Sequence, residues 1–252
     1  MNFTILHFDS LASTNTEAVN QAKRGASEGL CVVARQQTKG RGRFGREWIS
    51  QKDAGVYFSI VLRPKIAVKY LSLLTFACAV AVFETLSKFG LNPDIKWAND
   101  IHVGDKKICG ILAETCETNA GLAVVVGIGI NLKSANFPPK LKEIATSFEQ
   151  ETGKTPDAEI LLQTLTGFLS VYCEILYGEN GAEKISQEWT RRSTYACGKS
   201  VRVRLRNETI SGKTCGIEAD GALRVQTESG EVKTVRAGDV EKLRTEKQHI
   251  SI

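Results

Sequence analysis

The sequence lacks the features that mark membrane-spanning, secreted and metal-binding proteins. It has no run of about 18 apolar residues, which a transmembrane helix would need. Its first residues, MNFTILHFDS, have neither the basic segment nor the long apolar core of a signal peptide. The seven cysteines form no C-x-x-C motif, and the three histidines stand far apart in the sequence. We therefore expect a cytoplasmic protein whose cysteines are buried, reduced thiols, in preference to a disulfide framework or a metal site.

The chain also lacks a strong excess of either charge. Its 33 basic and 28 acidic residues leave a net charge of +5, which suits an anionic ligand or an acidic protein partner. This charge does not by itself require a nucleic-acid ligand. A length of 252 residues is enough for one large domain, or for one large domain and one small one.

A cluster of basic residues occurs in residues 36–48, QQTKGRGRFGREW. The stretch has four basic side chains, one acid and three glycines. Glycine lets the backbone approach a ligand closely, and the planar arginine fork matches the oxygens of phosphates and carboxylates. We interpret the stretch as a loop that closes over a polyanionic ligand, and a solvated basic turn is the alternative.

The same loop contains the letters G-x-G-x-x-G, at Gly40, Gly42 and Gly45. A dinucleotide-binding fingerprint needs a strand before it and a helix that begins within it. Here a second apolar strand follows the loop, and the intervening arginines would crowd a helix packed on a sheet. We therefore expect the loop to contact phosphate through side chains and loop amides.

The first 195 residues predict a mixture of strands and helices. Ser13-Thr14-Asn15 would begin the first helix, with Ser13 or Thr14 as the N-cap and Glu17 completing a capping box. Predicted strands cover residues 3–8, 29–35, 55–63, 95–97, 101–103, 108–114 and 122–132, and predicted helices cover residues 13–24, 69–89, 159–177 and 181–192, with an irregular stretch at 137–156.

The segment between residues 95 and 114 reads as a hairpin with a polar turn, Gly104-Asp105-Lys106-Lys107. A turn lysine is usually solvent-facing. Pairing of the two arms would nevertheless bring Lys107 and Gly110 close to Asn99 and Asp100.

The composition changes near residue 196, and we predict two domains, residues 1–195 and 196–252. The second has short alternating strands separated by turns such as Asp220-Gly221 and Ser229-Gly230, which indicate a small β-barrel. Arginines at alternate positions would lie on one face of its first strand: Arg202, Arg204 and Arg206.

Five stretches, in this order along the chain, resemble the biotin–protein ligases. They are Ser13-Thr14-Asn15, QQTKGRGRFGREW, KWANDI (residues 96–101), GDKKICGILAE (104–114) and VVVGIGINL (124–132). The resemblance implies an α+β fold with a mixed central sheet and helices on one side, as in class II synthetases, followed by a Src-homology-3-like barrel.

The resemblance also implies an activity and a set of site residues. Biotin and ATP, with Mg²⁺, would form biotinyl-5′-AMP and pyrophosphate, and the biotinyl group would then pass to a lysine of a biotin carboxyl carrier protein. Lys107 and Arg43 would be the catalytic residues. The family's biotin contacts match Ser13, Thr14, Asn15, Gln37, Arg41, Gly42, Arg43, Lys107 and Gly110. Its ATP contacts match Arg41, Arg43, Trp48, Lys96, Asn99, Asp100, Lys107 and Asn131.

The remaining expectations concern partners and rival functions. Because the family pattern begins at residue 3, we expect no helix-turn-helix and no binding to a specific DNA, and edge strands of the sheet leave a homodimer possible. A lipoate or octanoate ligase or transferase shares the architecture, but its ligand has no ureido group for Gln37 to bind. A nucleic-acid-binding module would need stacking aromatic residues, and no aromatic residue follows Tyr195.

Overall fold

The computed structural model describes residues 1–134, 137–205 and 207–242. Within these residues the strands are β1 Thr4–Phe8, β2 Leu30–Ala34, β3 Gly55–Leu62, β4 Pro93–Lys96, β5 Asp100–Val103, β6 Lys106–Thr118, β7 Gly121–Asn131, β8 Cys197–Arg204, β9 Thr209–Ile217, β10 Leu223–Gln226, β11 Val232–Val235 and β12 Asp239–Lys242. The helices are α1 Thr14–Lys23, α2 Leu73–Lys88, α3 Pro139–Lys142, α4 Phe148–Thr152, α5 Ala158–Tyr177 and α6 Gly181–Arg191.

The first seven strands form one mixed sheet in the order β1-β2-β3-β7-β6-β5-β4. β1 and β2 are parallel, and the other neighbouring pairs are antiparallel. Strands β6 and β7 carry the longest pairing of the sheet, and β3 joins β7 across a large gap in sequence. The predicted α+β fold with a mixed central sheet is confirmed.

Helices cover both faces of this sheet. Residues at alternate positions of β3 and β7, such as Phe58 and Ile128, belong to the large core that contains α2 and α5. The intervening residues, such as Val61 and Val125, pack with Ala18 on α1 in a smaller cluster on the opposite face. Helices α2, α5 and α6 lie on one side of the sheet, as expected. Helix α1 lies on the opposite side, where its small buried alanines pack closely against β-branched residues.

Helices α2 and α5 both contribute many buried residues to the large core. By length and composition, Val68–Lys88 and Ala158–Tyr177 would each be able to cross a membrane. Both lie against other parts of the chain: the two helices contact one another, and α2 also contacts α6 and the sheet. Such burial is typical of core helices, which satisfy their apolar faces within the protein.

Several element boundaries differ from the predicted ones for local reasons. The helix predicted at 69–89 is a 3-10 turn, Val68–Tyr70, followed by α2. The stretch predicted as irregular contains α3 and α4. Helix α4 is only five residues long, too short for helical periodicity to appear in the sequence, but the Ser147 side chain accepts a hydrogen bond from the Gln150 amide at its start.

The C-terminal strands form a five-stranded antiparallel sheet in the order β11-β10-β9-β8-β12. Strand β12 was not predicted, because only one of its four residues, Val240, is apolar and no alternation is visible. The sheet contacts the N-terminal part through the Trp97 indole, which donates a hydrogen bond of 2.9 Å to the carbonyl of Gly221. Arg206, and residues 243–252 of the second predicted domain, lie outside the described residues.

Candidate active site

The floor of the candidate site consists of glycines on β6 and β7. Gly110 lies opposite Gly129 in the strand pairing, and Gly127 lies opposite Leu112. A Cβ atom on Gly129 would overlap the Trp48 indole, and one on Gly127 would overlap the side chain of Asn15. The glycines therefore let an aromatic ring and a polar side chain lie directly on the sheet.

A buried polar network closes one end of this floor. The Gln37 carbonyl oxygen accepts hydrogen bonds from the Thr14 amide at 2.8 Å and the Thr14 hydroxyl at 3.1 Å. The Gln37 amide donates to the Ser50 hydroxyl at 2.7 Å. The Ser59 hydroxyl, which is fully buried, lies 2.6 Å from Asn15 Oδ1 and 2.8 Å from Thr14 Oγ1. These groups hold one another in fixed orientations.

The predicted capping box at the start of α1 is not observed. Ser13 occupies the N-cap position, but no side chain caps the helix, and the Thr14 amide bonds to Gln37 instead. The side chains of Ser13, Thr14 and Asn15 are thereby directed to the network and the cavity beside it. A tertiary contact has replaced the local hydrogen bond that the sequence favoured.

Several members of the site were missed from the sequence, among them Ser59 and Glu114. One carboxylate oxygen of Glu114 accepts hydrogen bonds of 2.7 Å from both Asn15 Nδ2 and Arg41 Nη2. Serine in a strand and glutamate in a strand are common, so no local signal distinguishes them. Their importance follows only from the residues that lie across from them.

The glycine-arginine loop turns back on itself beside the network. Gly42 donates a backbone hydrogen bond of 2.7 Å to the carbonyl of Arg46, and a short 3-10 turn, Arg43–Gly45, forms the tip. Arg43 donates to Asn99 Oδ1 at 2.9 Å. Burial lowers the pKa of the Arg43 guanidinium, and the nearby Asp100 partly offsets this effect. The side chains of Arg43 and Arg46 line the cavities of the site.

Lys107 lies at the centre of the site. Its ammonium forms an ion pair of 2.7 Å with Asp100, and both side chains are less than one-third exposed. The same ammonium lies 5.3 Å from the centroid of the Trp48 ring. Its backbone is held on both sides, because Lys107 N donates to the Ile144 carbonyl and Thr146 N donates to the Lys107 carbonyl, each at 2.9 Å. The cation is thus fixed in position by the strand and by a second segment.

Two cavities meet at Lys107. A small one of about 120 Å³ extends toward the polar network, and a larger one of about 540 Å³ extends toward β4, β5 and the barrel. Arg43, Trp48, Asn99, Asp100 and Lys107 line both. A ligand in one cavity would therefore touch a ligand in the other at this cation.

The structure places every predicted site residue on one or both cavities. Those lining the smaller one include Ser13, Thr14, Asn15, Gln37, Arg41, Gly42 and Gly110, and the larger one adds Lys96 and Asn131. Burial lowers the pKa of Lys96, which stands 5.9 Å from the Tyr195 ring centroid. The Asn131 amide donates a hydrogen bond of 3.0 Å to the Thr146 carbonyl. The ligand contacts assigned to these residues remain predictions.

The C-terminal sheet also contributes to the larger cavity, which the sequence did not indicate. Asp239 on β12 forms an ion pair with Arg46 of the loop, and Gly238, Val240 and Glu241 line the cavity beside it. An acidic residue in a small β-domain has no local pattern that assigns it to a distant site. The docking of the barrel brings it there.

The geometry suits the joining of two anions. The smaller cavity is lined by neutral hydrogen-bonding groups, among them Thr14, Asn15 and Gln37, and by arginines of the loop. The larger cavity is lined by Lys96, by carboxylates such as Asp100 and by apolar side chains, and Arg43 and Lys107 line both cavities. Lysine and arginine at the junction would offset the repulsion between a carboxylate and a phosphate. The fold and site thus define a nucleotide-dependent enzyme that activates a carboxylic acid.

Comparison with known proteins identifies the family. Residues 7–131 match the Biotin/lipoate A/B protein ligase family, and residues 196–243 match the biotin protein ligase C-terminal domain. The bifunctional ligase/repressor BirA of Bacillus subtilis is 38% identical over 244 residues, covering 94% of this chain and 73% of that protein. The biotin–[acetyl-CoA-carboxylase] ligase of Paracoccus denitrificans is 33% identical over 227 residues, covering 86% and 92%.

Solved structures agree with the sequence matches. The biotin protein ligase from Aquifex aeolicus, in complex with biotin and ATP, aligns with a TM-score of 0.83 and 29% identity over 96% of this chain and 99% of that one. This chain belongs to the biotin protein ligase family.

Proposed function

We propose that this chain attaches biotin to a lysine of a biotin carboxyl carrier protein in two steps. In the first, an oxygen of the biotin carboxylate attacks the α-phosphorus of ATP, and pyrophosphate leaves. In the second, the lysine amine attacks the acyl carbon of biotinyl-5′-AMP, and AMP leaves. The relatives named as biotin–[acetyl-CoA-carboxylase] ligases and the Aquifex structure with biotin and ATP support this assignment.

The observation that carries the proposal is the position of Lys107 between two different cavities. The smaller one ends in neutral donors and acceptors that suit a ureido ring. The larger one has room for a nucleotide. Biotin bound with its ring at the network would direct its carboxylate toward the Lys107 ammonium.

The side chains around the junction would act chiefly by positioning and by electrostatic stabilisation. Lys107 would neutralise the approaching carboxylate and the charge that grows on the α-phosphate. Arg43 and Lys96 would face the phosphates, and Asn131 the nucleoside. Because Asp100 pairs with Lys107 at 2.7 Å, it would hold the ammonium in place before the substrates arrive.

Arg41 and Arg43 have a second role in this proposal. Both belong to the loop, and both are tied to strand β6 or its neighbour, Arg41 through Glu114 and Arg43 through Asn99. A loop held in this way would cover biotinyl-5′-AMP and keep water from its mixed anhydride. The covered intermediate would then await the acceptor lysine.

We also propose that Mg²⁺ enters with ATP. No group of three or more His, Cys, Asp or Glu residues that would hold a metal occurs in the described part of the chain. Mg²⁺ is commonly bound through one or two carboxylates together with substrate phosphates and waters. Carboxylates line the larger cavity, among them Asp100 and Asp239, and one of them would join the phosphates of ATP in holding the ion. Bound Mg²⁺ would offset the negative charge of the phosphates.

The polar network argues against lipoate or octanoate as the substrate. Either acyl chain would place apolar atoms against Thr14, Asn15 and Gln37, which line the smaller cavity. A chain without polar groups would gain no hydrogen bond from them, and a site built to hydrogen-bond its substrate discriminates against an analogue that lacks the matching groups. A ureido ring offers both N–H donors and a carbonyl acceptor.

The test is pyrophosphate release by purified protein with MgATP and biotin, run beside lipoate and octanoate. We expect release with biotin, and then a mass increase on a biotin carboxyl carrier domain. Release with lipoate alone would reassign the substrate. No release with any of the three acids would refute a carboxylate-activating function.

Three further expectations about the protein remain proposals. We propose that it binds no specific DNA, which an electrophoretic assay with a candidate operator tests. We propose that two copies can associate through sheet edges, which analytical ultracentrifugation with and without biotin and ATP tests. We propose a cytoplasmic location, where both ATP and a carboxylase acceptor are available.

A further inference from the structure

One polar side chain in the larger cavity has no role in the account above. His102, on β5, is 6% exposed, and its Nδ1 atom is buried without a hydrogen-bond partner in the described residues. The ring lines the 540 Å³ cavity. Because Nδ1 is enclosed by protein atoms, a ligand in this cavity would reach the ring through the other nitrogen, Nε2. Polar atoms at buried sites are nearly always paired, so Nε2 points to a partner that arrives with the ligand.

The surroundings of His102 limit what that partner would be. In the strand pairing, His102 lies opposite Lys107 on β6 and Asp94 on β4. Lys96, Lys107, Asp100 and Asp105 are the charged groups that act on the ring, and burial lowers its pKa to about 4. The ring is therefore neutral at pH 7, with one nitrogen as a donor and the other as an acceptor.

A neutral imidazole suits a hydroxyl better than the other parts of a nucleotide. The phosphates have cations available in Lys96, Lys107 and Arg43. Apolar residues that also line this cavity, Phe137, Leu141, Ile144 and Ala145, offer surface on which the base could pack. A ribose hydroxyl lies between base and phosphate, and it both donates and accepts, so it pairs with either tautomer of the ring.

We propose that His102 is a specificity-determining residue for the nucleotide, and that its Nε2 forms a hydrogen bond with a ribose hydroxyl of ATP. This inference rests on the proposed function, because it assumes that ATP occupies the larger cavity. His102 belongs neither to the glycine-arginine loop nor to the KWANDI stretch, in which most of the expected nucleotide contacts lie.

The proposal predicts opposite effects on stability and on nucleotide binding. His102→Leu removes a buried polar atom that has no partner in the free protein, so the melting temperature without ligand should stay the same or rise. The same change should raise KM for ATP by about 3- to 10-fold, the usual worth of one neutral hydrogen bond. KM for biotin, measured at saturating ATP, should not change.

Two companion variants separate this role from packing. His102→Gln keeps a polar group near the position of Nε2 and should recover part of the affinity for ATP. His7→Leu is a matched control, because His7 is a half-exposed histidine on β1, away from both cavities of the site. It should alter neither KM.

The hydroxyl is tested with 2′-deoxy-ATP and 3′-deoxy-ATP on the wild-type protein and on His102→Leu. The analogue that lacks the hydroxyl contacted by His102 should have a higher KM than ATP in the wild-type protein. In His102→Leu its KM should be close to that of ATP. An unchanged KM for ATP in His102→Leu would overturn the proposal, as would equal penalties for both analogues in both proteins. If the wild-type protein forms no biotinyl-5′-AMP, the proposed function itself is refuted. If the wild-type protein is active and His102→Leu has an unchanged KM for ATP, only the role of His102 is refuted.

Discussion

The central lysine gives the sharpest test of how the site works. In Lys107→Ala the cation at the junction of the two cavities is lost while the glycine floor and the polar network remain. Removing one positioned donor from an electrostatic site typically lowers the rate of chemistry by about 10²–10³-fold. We expect a loss of this size in the formation of biotinyl-5′-AMP, with biotin still able to bind.

The structure adds a second contribution to that loss. Without Lys107, the carboxylate of Asp100 would stand unpaired, less than one-third exposed, beside the incoming biotin carboxylate. Two like charges about 4 Å apart repel by roughly 4 kcal/mol at most when the effective dielectric constant is near 20. The single variant should therefore be slower than the double variant Lys107→Ala/Asp100→Asn, in which the uncompensated charge is gone.

The assay is single-turnover formation of biotinyl-5′-AMP with enzyme in excess over ATP, which separates chemistry from product release. Biotin affinity is measured separately by calorimetry. Unchanged adenylation in Lys107→Ala would refute the role of the lysine in the transition state. A double variant as slow as the single one would refute the contribution assigned to Asp100.

Three other predictions follow from the contacts around the site. Gly127→Ala should displace Asn15 and raise KM for biotin by about 10-fold or more, since a buried polar contact is worth about 1–3 kcal/mol, whereas the control Gly167→Ala, in α5 with open space around it, should not; equal kinetics in both variants would contradict the role of the glycine floor. Glu114→Gln should raise the dissociation rate of biotinyl-5′-AMP by about 2- to 5-fold, because a partly exposed ion pair with Arg41 contributes roughly 1 kcal/mol or less, and Glu117→Gln, an exposed neighbour on β6, is its control. Hydrogen exchange should become slower in residues 38–46 when biotin and ATP are added, and equal protection in both states would count against loop closure.

Much of the fold was predictable because its signals are local. The buried strands β3 and β7 are apolar on both faces, and the helical spacing in α2 and α5 extends over several turns. The hairpin of β5 and β6 carries its own polar turn. The elements that were missed, α3, α4 and β12, are short and have one large apolar residue each, so no hydrophobic period is visible in them.

The residues of the candidate site likewise divide into those with a local sequence signal and those without one. Residues 36–48 and the KWANDI stretch contain unusual combinations of glycine, arginine, lysine and asparagine, and these combinations are visible without a structure. Ser59, Glu114, His102 and Asp239 are ordinary residues at ordinary positions. Nothing in their own neighbourhoods distinguishes them from other polar residues on a strand.

The sequence by itself therefore determined most of the strands and helices, the basic loop and the chemistry that its motifs could perform. Only the tertiary structure decided which groups meet. The pairing of β3 with β7 brings Ser59 to Asn15, and the docking of the C-terminal sheet brings Asp239 to Arg46. Hydrogen bonds and ion pairs act over a few ångströms, so their partners are set by how distant segments pack and not by their separation along the chain.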